Sequence, residues 1–217
     1  MNPGDACHFP DRTRVVVLLS GSGRTLENLI RANGDGRVDI DITRVISSRA
    51  SVRGVDVARG AGIPLSIISR RSFSTAKSFS DAVHEVLRPE QPDLVVMAGF
   101  LSKIAIPDHL TGRVMNIHPA LLPLFGGRGY YGSRVHQSVL DSGMKVSGCT
   151  VHFVDENYDA GPIILQACVP VLEDDDAESL GARVFQQECV LYPQAVRLFA
   201  ENRLRLEGRR VRILPAR

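Results

Sequence analysis

Tryptophan is absent from this sequence of 217 residues, and cysteine and lysine are scarce. The four cysteines are Cys7, Cys149, Cys168 and Cys189, and no two of them form a CxxC pair. A zinc knuckle or a disulfide framework is therefore not expected. The last three cysteines lie in apolar stretches, where a buried and reduced thiol is the usual role.

Long apolar runs are also missing, since none approaches the roughly 20 residues needed to cross a bilayer. Residues 1–13 lack the basic start and apolar run of a secretory signal. We therefore expect a disordered lead-in and a cytoplasmic protein. The net charge of +2 is too small to indicate a nucleic acid or a membrane as partner. The expected partners are small molecules. The sequence does not establish the oligomeric state, and a weak homodimer is the working expectation.

Short β-branched runs alternate with amphipathic stretches, which is typical of βαβ units around a parallel sheet. The first run, RVVVLL at 14–19, is continuously apolar, as in a strand covered on both faces. The pattern predicts a Rossmann-like open sheet of about seven strands, mostly parallel. Helices are expected on both faces and antiparallel strands toward the C-terminal half. One domain is expected at 14–205, followed by a hairpin or tail at 206–217.

The element boundaries follow from caps, prolines and periodicity. Strands are predicted at 14–19, 42–46, 65–68, 93–97, 113–117, 147–154 and 161–171. Helices are predicted at 25–32 with Thr25 as cap, 52–61, 74–87 ending before Pro89, 133–140 and 177–201. A long loop is predicted between Pro119 and Gly132.

Glycines follow the first strand in the segment Ser20-Gly-Ser-Gly-Arg-Thr25. Such a loop at the start of a helix lets backbone N–H groups approach an anion. Leu26 stands where a dinucleotide fingerprint would have its third glycine, and the ending of a nucleotide-hydrolysing P-loop is missing. The segment therefore predicts a monophosphate site, the alternative being a tight turn without a ligand.

Asn116 and His118 lie two positions apart at the end of a predicted strand, so their side chains share a face of the sheet. Open α/β sheets bind ligands at the carboxyl ends of their strands. Asn116 offers an amide N–H to a developing oxyanion, and His118 can carry a proton near neutral pH. The alternative is a structural histidine before Pro119.

Asp159 precedes Ala-Gly-Pro at a turn into a predicted strand. A carboxylate beside His118 would raise the imidazole pKa and hold its tautomer. The sequence does not establish that the two residues meet, and a solvated acidic loop is the alternative. His118, His136, His152 and Asp159 show no ligand spacing such as HExxH, so no metal site is expected.

Three segments in this order resemble the folate-dependent formyltransferases over residues 14–205. They are SGSGRTLENL, NIHPALLP and VHFVDENYDAGPII. The resemblance implies a formyltransferase domain that passes a formyl group from 10-formyltetrahydrofolate to the amine of glycinamide ribonucleotide in purine synthesis. It implies neither a metal nor a covalent intermediate.

The resemblance also implies a role for individual residues. The implied catalytic set is Asn116, His118 and Asp159. The residues implied for the substrate are Gly21, Gly23, Arg24 and Thr25 at the phosphate and Glu188 at the ribose hydroxyls. Those implied for the folate are Leu101, Ser102, Lys103, Ile104, Asn116, Val154, Asp155, Glu156 and Asp159.

The sequence departs from the family pattern after Pro123. The family often has a shorter Pro-Gly loop there that contains an additional histidine, whereas this chain has LFGGRGYYGSRVH. Near Ser74–Ser78 no basic residue aligns with the family's contact to the folate glutamate tail, because Ala76 rather than Lys77 occupies that position. The alternatives are a formyltetrahydrofolate deformylase, a sugar-amine formyltransferase and a noncatalytic mononucleotide-binding module. A methionyl-tRNA formyltransferase would need an additional C-terminal barrel.

Overall fold

The computed structural model describes residues 12–216. Thr13 already belongs to the first strand, one residue before the expected start of the domain. Most of the expected lead-in, residues 1–11, lies outside the described residues, and so does Cys7. Within residues 12–216, no helix is both long and apolar enough to cross a membrane.

Strands and helices alternate along the chain as far as the fourth strand. The strands are β1 (Thr13–Leu19), β2 (Ile40–Ser47), β3 (Leu65–Ile67), β4 (Leu94–Met97), β5 (Val114–His118), β6 (Val146–Phe153), β7 (Ile163–Pro170), β8 (Leu204–Glu207) and β9 (Arg210–Ile213). The helices are α1 (Arg24–Gly34), α2 (Arg53–Gly60), α3 (Ala76–Glu90), α4 (Ser133–Asp141) and α5 (Ala177–Ala200). Each predicted strand and helix has a counterpart here.

The nine strands of residues 12–216 form one sheet in the order β3-β2-β1-β4-β5-β6-β7-β9-β8. The strands from β3 to β5 are parallel, whereas β6 is antiparallel to both of its neighbours. The predicted fold class is therefore confirmed. The C-terminal hairpin of β8 and β9 extends the sheet beyond the seven strands expected, because β9 pairs with β7 at Ile163 and Arg210.

Both faces of the sheet are covered, which explains the continuous apolar character of β1. Val15, Val17 and Leu19 pack in a core that includes residues of α1, α4 and α5. Val16 and Leu18 point to the other face and pack in a second core with α3. The strand order reverses around β1, so a crevice is expected at the carboxyl ends of β1 and β4.

The end of α3 differs from the prediction. The helix does not stop before Pro89 but continues to Glu90, and Gln91 caps it with a positive φ of 44°. Arg14 donates from Nε and Nη2 to the Glu90 carbonyl at 3.1 and 2.8 Å. The Glu90 carboxylate accepts a bond of 2.7 Å from Arg44 Nε. These tertiary contacts hold the last turn although Pro89 lacks an N–H.

The cysteines differ in burial: Cys149 is buried, Cys189 is partly buried and Cys168 is exposed. The expectation of burial is therefore wrong for Cys168. On β7 the face that carries Leu165 and Val169 packs on the core. Cys168 lies on the opposite face, since side chains alternate along a strand.

Candidate active site

β5 carries Asn116 and His118 to its carboxyl end. The strand lies between β4 and β6 in the sheet, and the two side chains share a face because they are two positions apart. His118 is 3% exposed. A histidine this deeply buried needs defined partners for both ring nitrogens.

Asp159 reaches both residues from the loop between β6 and β7. Its Oδ2 lies 3.5 Å from His118 Nδ1, and its Oδ1 accepts a long hydrogen bond of 3.4 Å from Asn116 Nδ2. Oδ2 also accepts a bond of 2.9 Å from the Gly127 N–H. The backbone of Asp159 has a φ of 51°, which is uncommon outside glycine. The structure thus brings together three residues whose contact the sequence did not establish.

The His118 ring is held between a carbonyl and a carboxylate. Its Nε2–H donates to the Phe125 carbonyl at 2.8 Å, since a carbonyl only accepts. Burial lowers the pKa of His118, while the Asp159 carboxylate and the Phe125 carbonyl oppose that change. The net pKa lies below the ordinary histidine value because burial has the larger effect, while Asp159 acts in the expected direction and raises it.

Asp159 remains a carboxylate at neutral pH. Burial raises the pKa of Asp159, but the combined lowering effect of His152, the His118 ring and the Gly127 N–H is larger. The net pKa is below the ordinary aspartate value. A fixed negative charge therefore faces His118 Nδ1 and is available to stabilise that ring when it accepts a proton.

His152 belongs to the same cluster, although the sequence reasoning considered it only as a metal ligand. Its Nδ1–H donates to the Phe153 carbonyl at 2.8 Å. Its Nε2 lies 3.3 Å from Asn116 Nδ2 and 3.7 Å from Asp159 Oδ1. His152 stands opposite Asn116 in the β5–β6 pairing, a register that the sequence does not reveal.

The amide hydrogens of Asn116 point at His152 and Asp159. These contacts measure 3.3 and 3.4 Å, longer than typical N–H···O bonds. Catalytic hydrogen bonds are often long before a substrate binds. One of the two can therefore be exchanged for a ligand oxygen, which is the role expected of this side chain.

The glycine loop joins β1 to α1. The helix begins at Arg24 with Gly23 as its N-cap, so the prediction that Thr25 caps it is wrong. Gly23 has a φ of 74°, a conformation that glycine adopts without strain. No side chain caps this helix, which leaves the first backbone N–H groups for an anion.

The first turn of α2 fixes the shape of this loop. A Cβ added to Gly23 would overlap Gly54 Cα, and the Gly54 N–H donates to the Gly21 carbonyl at 3.1 Å. Gly54 has no room for a side chain either. Its Cβ would lie 2.8 Å from a methyl carbon of Leu19 and 2.9 Å from the Gly21 oxygen.

Arg24 links the glycine loop to α5. Its guanidinium carbon lies 4.1 Å from the centre of the Phe185 ring, a cation–π contact. Glu188 follows Phe185 by three positions and shares that face of the helix. Burial raises the pKa of Glu188 to about 7, and the charge of Arg24 opposes this rise.

Two cavities meet at Asn116 and Asp159. The larger, of about 670 Å³, extends from the glycine loop to His118. Its lining includes the predicted residues Gly21, Gly23, Arg24, Thr25, Leu101, Asn116, His118, Asp159 and Glu188. The smaller, of about 70 Å³, is lined by the predicted residues Ser102, Lys103, Ile104, Asn116, Val154, Asp155 and Asp159.

One predicted site residue falls outside this arrangement. Glu156 is exposed and lines neither cavity. Several residues that sequence reasoning did not single out line the larger cavity: Arg49, Phe100, Tyr130, Tyr131 and Phe185. His136, which it considered only as a metal ligand, lines the same cavity. Arg49 could have been found, because it follows β2 at the carboxyl edge where such sheets bind ligands.

The residues described at 12–216 contain no group of three or more His, Cys, Asp or Glu side chains placed to hold a metal ion. The polar groups that converge at the junction are a carboxylate, an amide and two imidazoles. Such groups orient ligands and move protons.

An open α/β sheet that places a glycine loop without a side-chain cap beside an Asn–His–Asp cluster is suited to a group-transfer enzyme. The family described as Formyl transferase matches residues 13–196. The chain belongs to this family, and the resemblance found in its sequence is confirmed.

Related proteins carry more specific names. The phosphoribosylglycinamide formyltransferase of Haemophilus influenzae is 38% identical over 197 residues, which is 89% of this chain and 90% of that protein. The trifunctional purine biosynthetic protein adenosine-3 of Bos taurus is 42% identical over 204 residues, 92% of this chain but 20% of the bovine protein. The crystal structure of glycinamide ribonucleotide transformylase 1 from Symbiobacterium toebii superposes with a TM-score of 0.89 at 41% identity, covering 99% of this chain and 100% of that one.

Proposed function

We propose that this chain is a phosphoribosylglycinamide formyltransferase, which transfers the formyl group of 10-formyltetrahydrofolate to the amine of glycinamide ribonucleotide. The observation that carries the proposal is the junction of the two cavities at Asn116 and Asp159. A group can pass directly between two substrates only where their sites touch. Similarity to the phosphoribosylglycinamide formyltransferase of Haemophilus influenzae over 90% of that protein supports phosphoribosylglycinamide as the acceptor of the formyl group.

The larger cavity suits a phosphorylated ribosyl amine. Its far end offers the uncapped N-terminus of α1 and the cation of Arg24, both suited to a phosphate. Glu188 lines the same cavity, where its carboxylate would accept hydrogen bonds from ribose hydroxyls. Arg49, also in the lining, adds a second cation to this cavity.

The residues of the smaller cavity are chemically suited to the folate ring, but the cavity is too small for that ring in the present structure. Met97, Phe100 and Ile104 provide apolar walls, and Asp155 provides a polar edge. Its volume of about 70 Å³ is far below that of an ordinary ligand pocket. We infer that residues 154–158 move outward when folate binds, while Asp159 keeps its place, and that this motion separates Lys103 Nζ from the Tyr158 ring, now 5.6 Å away.

The chain's own residues can carry the transfer. The substrate amine attacks the formyl carbon, the bond from that carbon to the folate nitrogen breaks, and the amine proton passes to that nitrogen. The Asn116 amide donates a hydrogen bond to the oxygen on which negative charge gathers, worth roughly 3–4 kcal/mol when preorganised. His118 adds a second donor when its Nε2–H turns from the Phe125 carbonyl to that oxygen. The fixed charge of Asp159 stabilises His118 as it takes up a proton.

The proposal is tested by incubating the protein with 10-formyltetrahydrofolate and glycinamide ribonucleotide while following the folate absorbance and the formylated product. We expect product formation that requires both substrates. Release of formate without the amine substrate would instead indicate a deformylase. If transfer occurs only when a sugar amine replaces glycinamide ribonucleotide, the protein is a sugar-amine formyltransferase. Ligand binding without turnover would indicate a noncatalytic mononucleotide-binding module.

Replacing Gly23 with alanine tests the phosphate site. The new Cβ would overlap Gly54 Cα, and alanine would have to adopt the positive φ of this position. The loop must therefore shift away from its present position. We expect the KM for glycinamide ribonucleotide to rise about ten- to a hundredfold, because a displacement near 1 Å is enough for such losses. The matched control is Gly34→Ala, where nothing lies within 4 Å. Equal KM values in both variants would contradict a phosphate site at Gly23.

Replacing Glu188 with glutamine should stabilise the protein in a pH-dependent way. The folded-state pKa of about 7 lies above the ordinary value of 4.5, so ionised Glu188 destabilises the fold. This cost is absent below pH 4.5, grows between the two values and is complete above pH 7. We expect the variant to gain about 1–3 kcal/mol at pH 8 and almost nothing at pH 4.

The measurement is urea unfolding at both pH values, with Glu178→Gln, an exposed position on the same helix, as control. A gain in stability that does not depend on pH would contradict the raised pKa of Glu188. The same variant should raise the KM for the ribonucleotide, because the amide no longer accepts from ribose hydroxyls as a carboxylate does.

A further inference from the structure

The C-terminal hairpin lies beyond residues 13–196, the part of the chain that the family matches, yet it touches the loop that carries Asp159. Arg209 stands in the turn between β8 and β9. Its Nη2 donates a hydrogen bond of 2.8 Å to the carbonyl oxygen of Ala160. Ala160 follows Asp159 directly, so this contact holds the peptide group next to the catalytic carboxylate.

The segment around Asp159 is restrained on its other sides as well. The carboxylate accepts from the Gly127 N–H at 2.9 Å. Gly161 packs so closely on Phe153 that a Cβ would overlap the Phe153 carbonyl oxygen. Between these restraints the backbone of Asp159 keeps a φ of 51°, an uncommon conformation that surrounding contacts must maintain.

The hairpin is itself anchored and can serve as a fixed support. Arg203 Nε donates to the Leu214 carbonyl at 2.8 Å, and the Leu214 N–H donates to the Arg203 carbonyl at 2.8 Å. At its other end, β9 pairs with β7 through Arg210 and Ile163. The Arg209 guanidinium is thus presented from the sheet and not from a free tail.

We propose that Arg209 is a positioning residue for the transfer: by holding the Ala160 carbonyl it keeps the Asp159 carboxylate aimed at His118. The hairpin is then a functional part of the site. Arg209 lines neither cavity, so it acts on the reaction through Asp159 and not on substrate binding. The kinetic part of this inference rests on the proposed function.

The test compares Arg209→Ala and Arg209→Lys with the control Arg205→Ala. Arg205 lies on the same hairpin and pairs with Glu207 at 3.4 Å. We expect Arg209→Ala to lower kcat about three- to tenfold, as for the loss of one charged hydrogen bond near the surface, with KM values within about twofold of the parent. Lysine keeps a donor and should recover most of kcat, while the control should match the parent.

Hydrogen exchange of residues 154–162 supplies a readout that does not depend on turnover. We expect the amides of this segment to exchange several-fold faster in Arg209→Ala than in the parent or the control. Unchanged exchange together with a kcat equal to that of the control would overturn the proposal, as would a loss of kcat that lysine does not recover. If the parent itself catalyses no transfer, the proposed function fails, and the exchange comparison still decides whether Arg209 orders the Asp159 loop.

Discussion

Alanine in place of His118 is expected to lower kcat by about a thousandfold or more. The variant loses both a donor to the formyl oxygen, worth roughly a hundred- to a thousandfold, and a group that carries a proton. Both proposed substrates should still bind, because the glycine loop and the smaller cavity keep their own residues. The measurement is steady-state kinetics at saturating concentrations of both substrates.

The control for His118→Ala is His109→Ala, an exposed histidine outside both cavities. Circular dichroism of each variant separates lost chemistry from lost structure. Removal of a buried hydrogen-bonded ring costs about 1–3 kcal/mol, so assays belong at a temperature where both variants are folded. A kcat within tenfold of the parent would remove His118 from the mechanism.

Asparagine in place of Asp159 is expected to lower kcat about a hundred- to a thousandfold while preserving the shape of the side chain. The Asp159 carboxylate raises the pKa of His118 against the larger effect of burial. Without it the ring accepts a proton less readily, and the charge that would stabilise the imidazolium is gone. Kinetics between pH 5 and 9 measure the change, and the KM values should move little.

The same variant changes how stability depends on pH, with a defined sign. The folded-state pKa of Asp159 lies below its ordinary value, so the ionised carboxylate stabilises the fold. That contribution is present above the unfolded-state pKa and disappears as the pH falls through the lowered one. Asp159→Asn should therefore be less stable than the parent at pH 7, with a smaller difference at pH 3. Asp174→Asn, at an exposed position, should show neither change, and an equal kcat loss there would contradict the role of Asp159.

The fold was predictable because its signals are local. The unbroken apolar run of β1 indicates a sheet covered on both faces, and the spacing of apolar residues indicates the helices. The end of α3 was mispredicted for a physical reason: Arg14 and Arg44 hold its last turn from distant strands. No local rule about Pro89 contains that information.

The candidate site was predictable in part. Asn116 and His118 share a face because a strand has a period of two, and that spacing is visible in the sequence. The contact with Asp159 depends on a loop in an uncommon backbone conformation. The contact with His152 depends on the register of β5 against β6, which is set by tertiary packing. The resemblance to known formyltransferases, and not any pattern of spacing, singled out Glu188.

Gly54 shapes the glycine loop by packing on Gly23, although Gly54 itself does not line the cavity that this loop borders. Gly54 lies outside both cavities, and its contacts are with the backbone of the loop and with Leu19. A side chain at this position is therefore excluded by the packing of the glycine loop and of Leu19, and not by the helix in which the residue stands. Attempts to adapt the enzyme to a bulkier or uncharged substrate should treat residues 21–24 and the first turn of α2 as one unit, redesigned together.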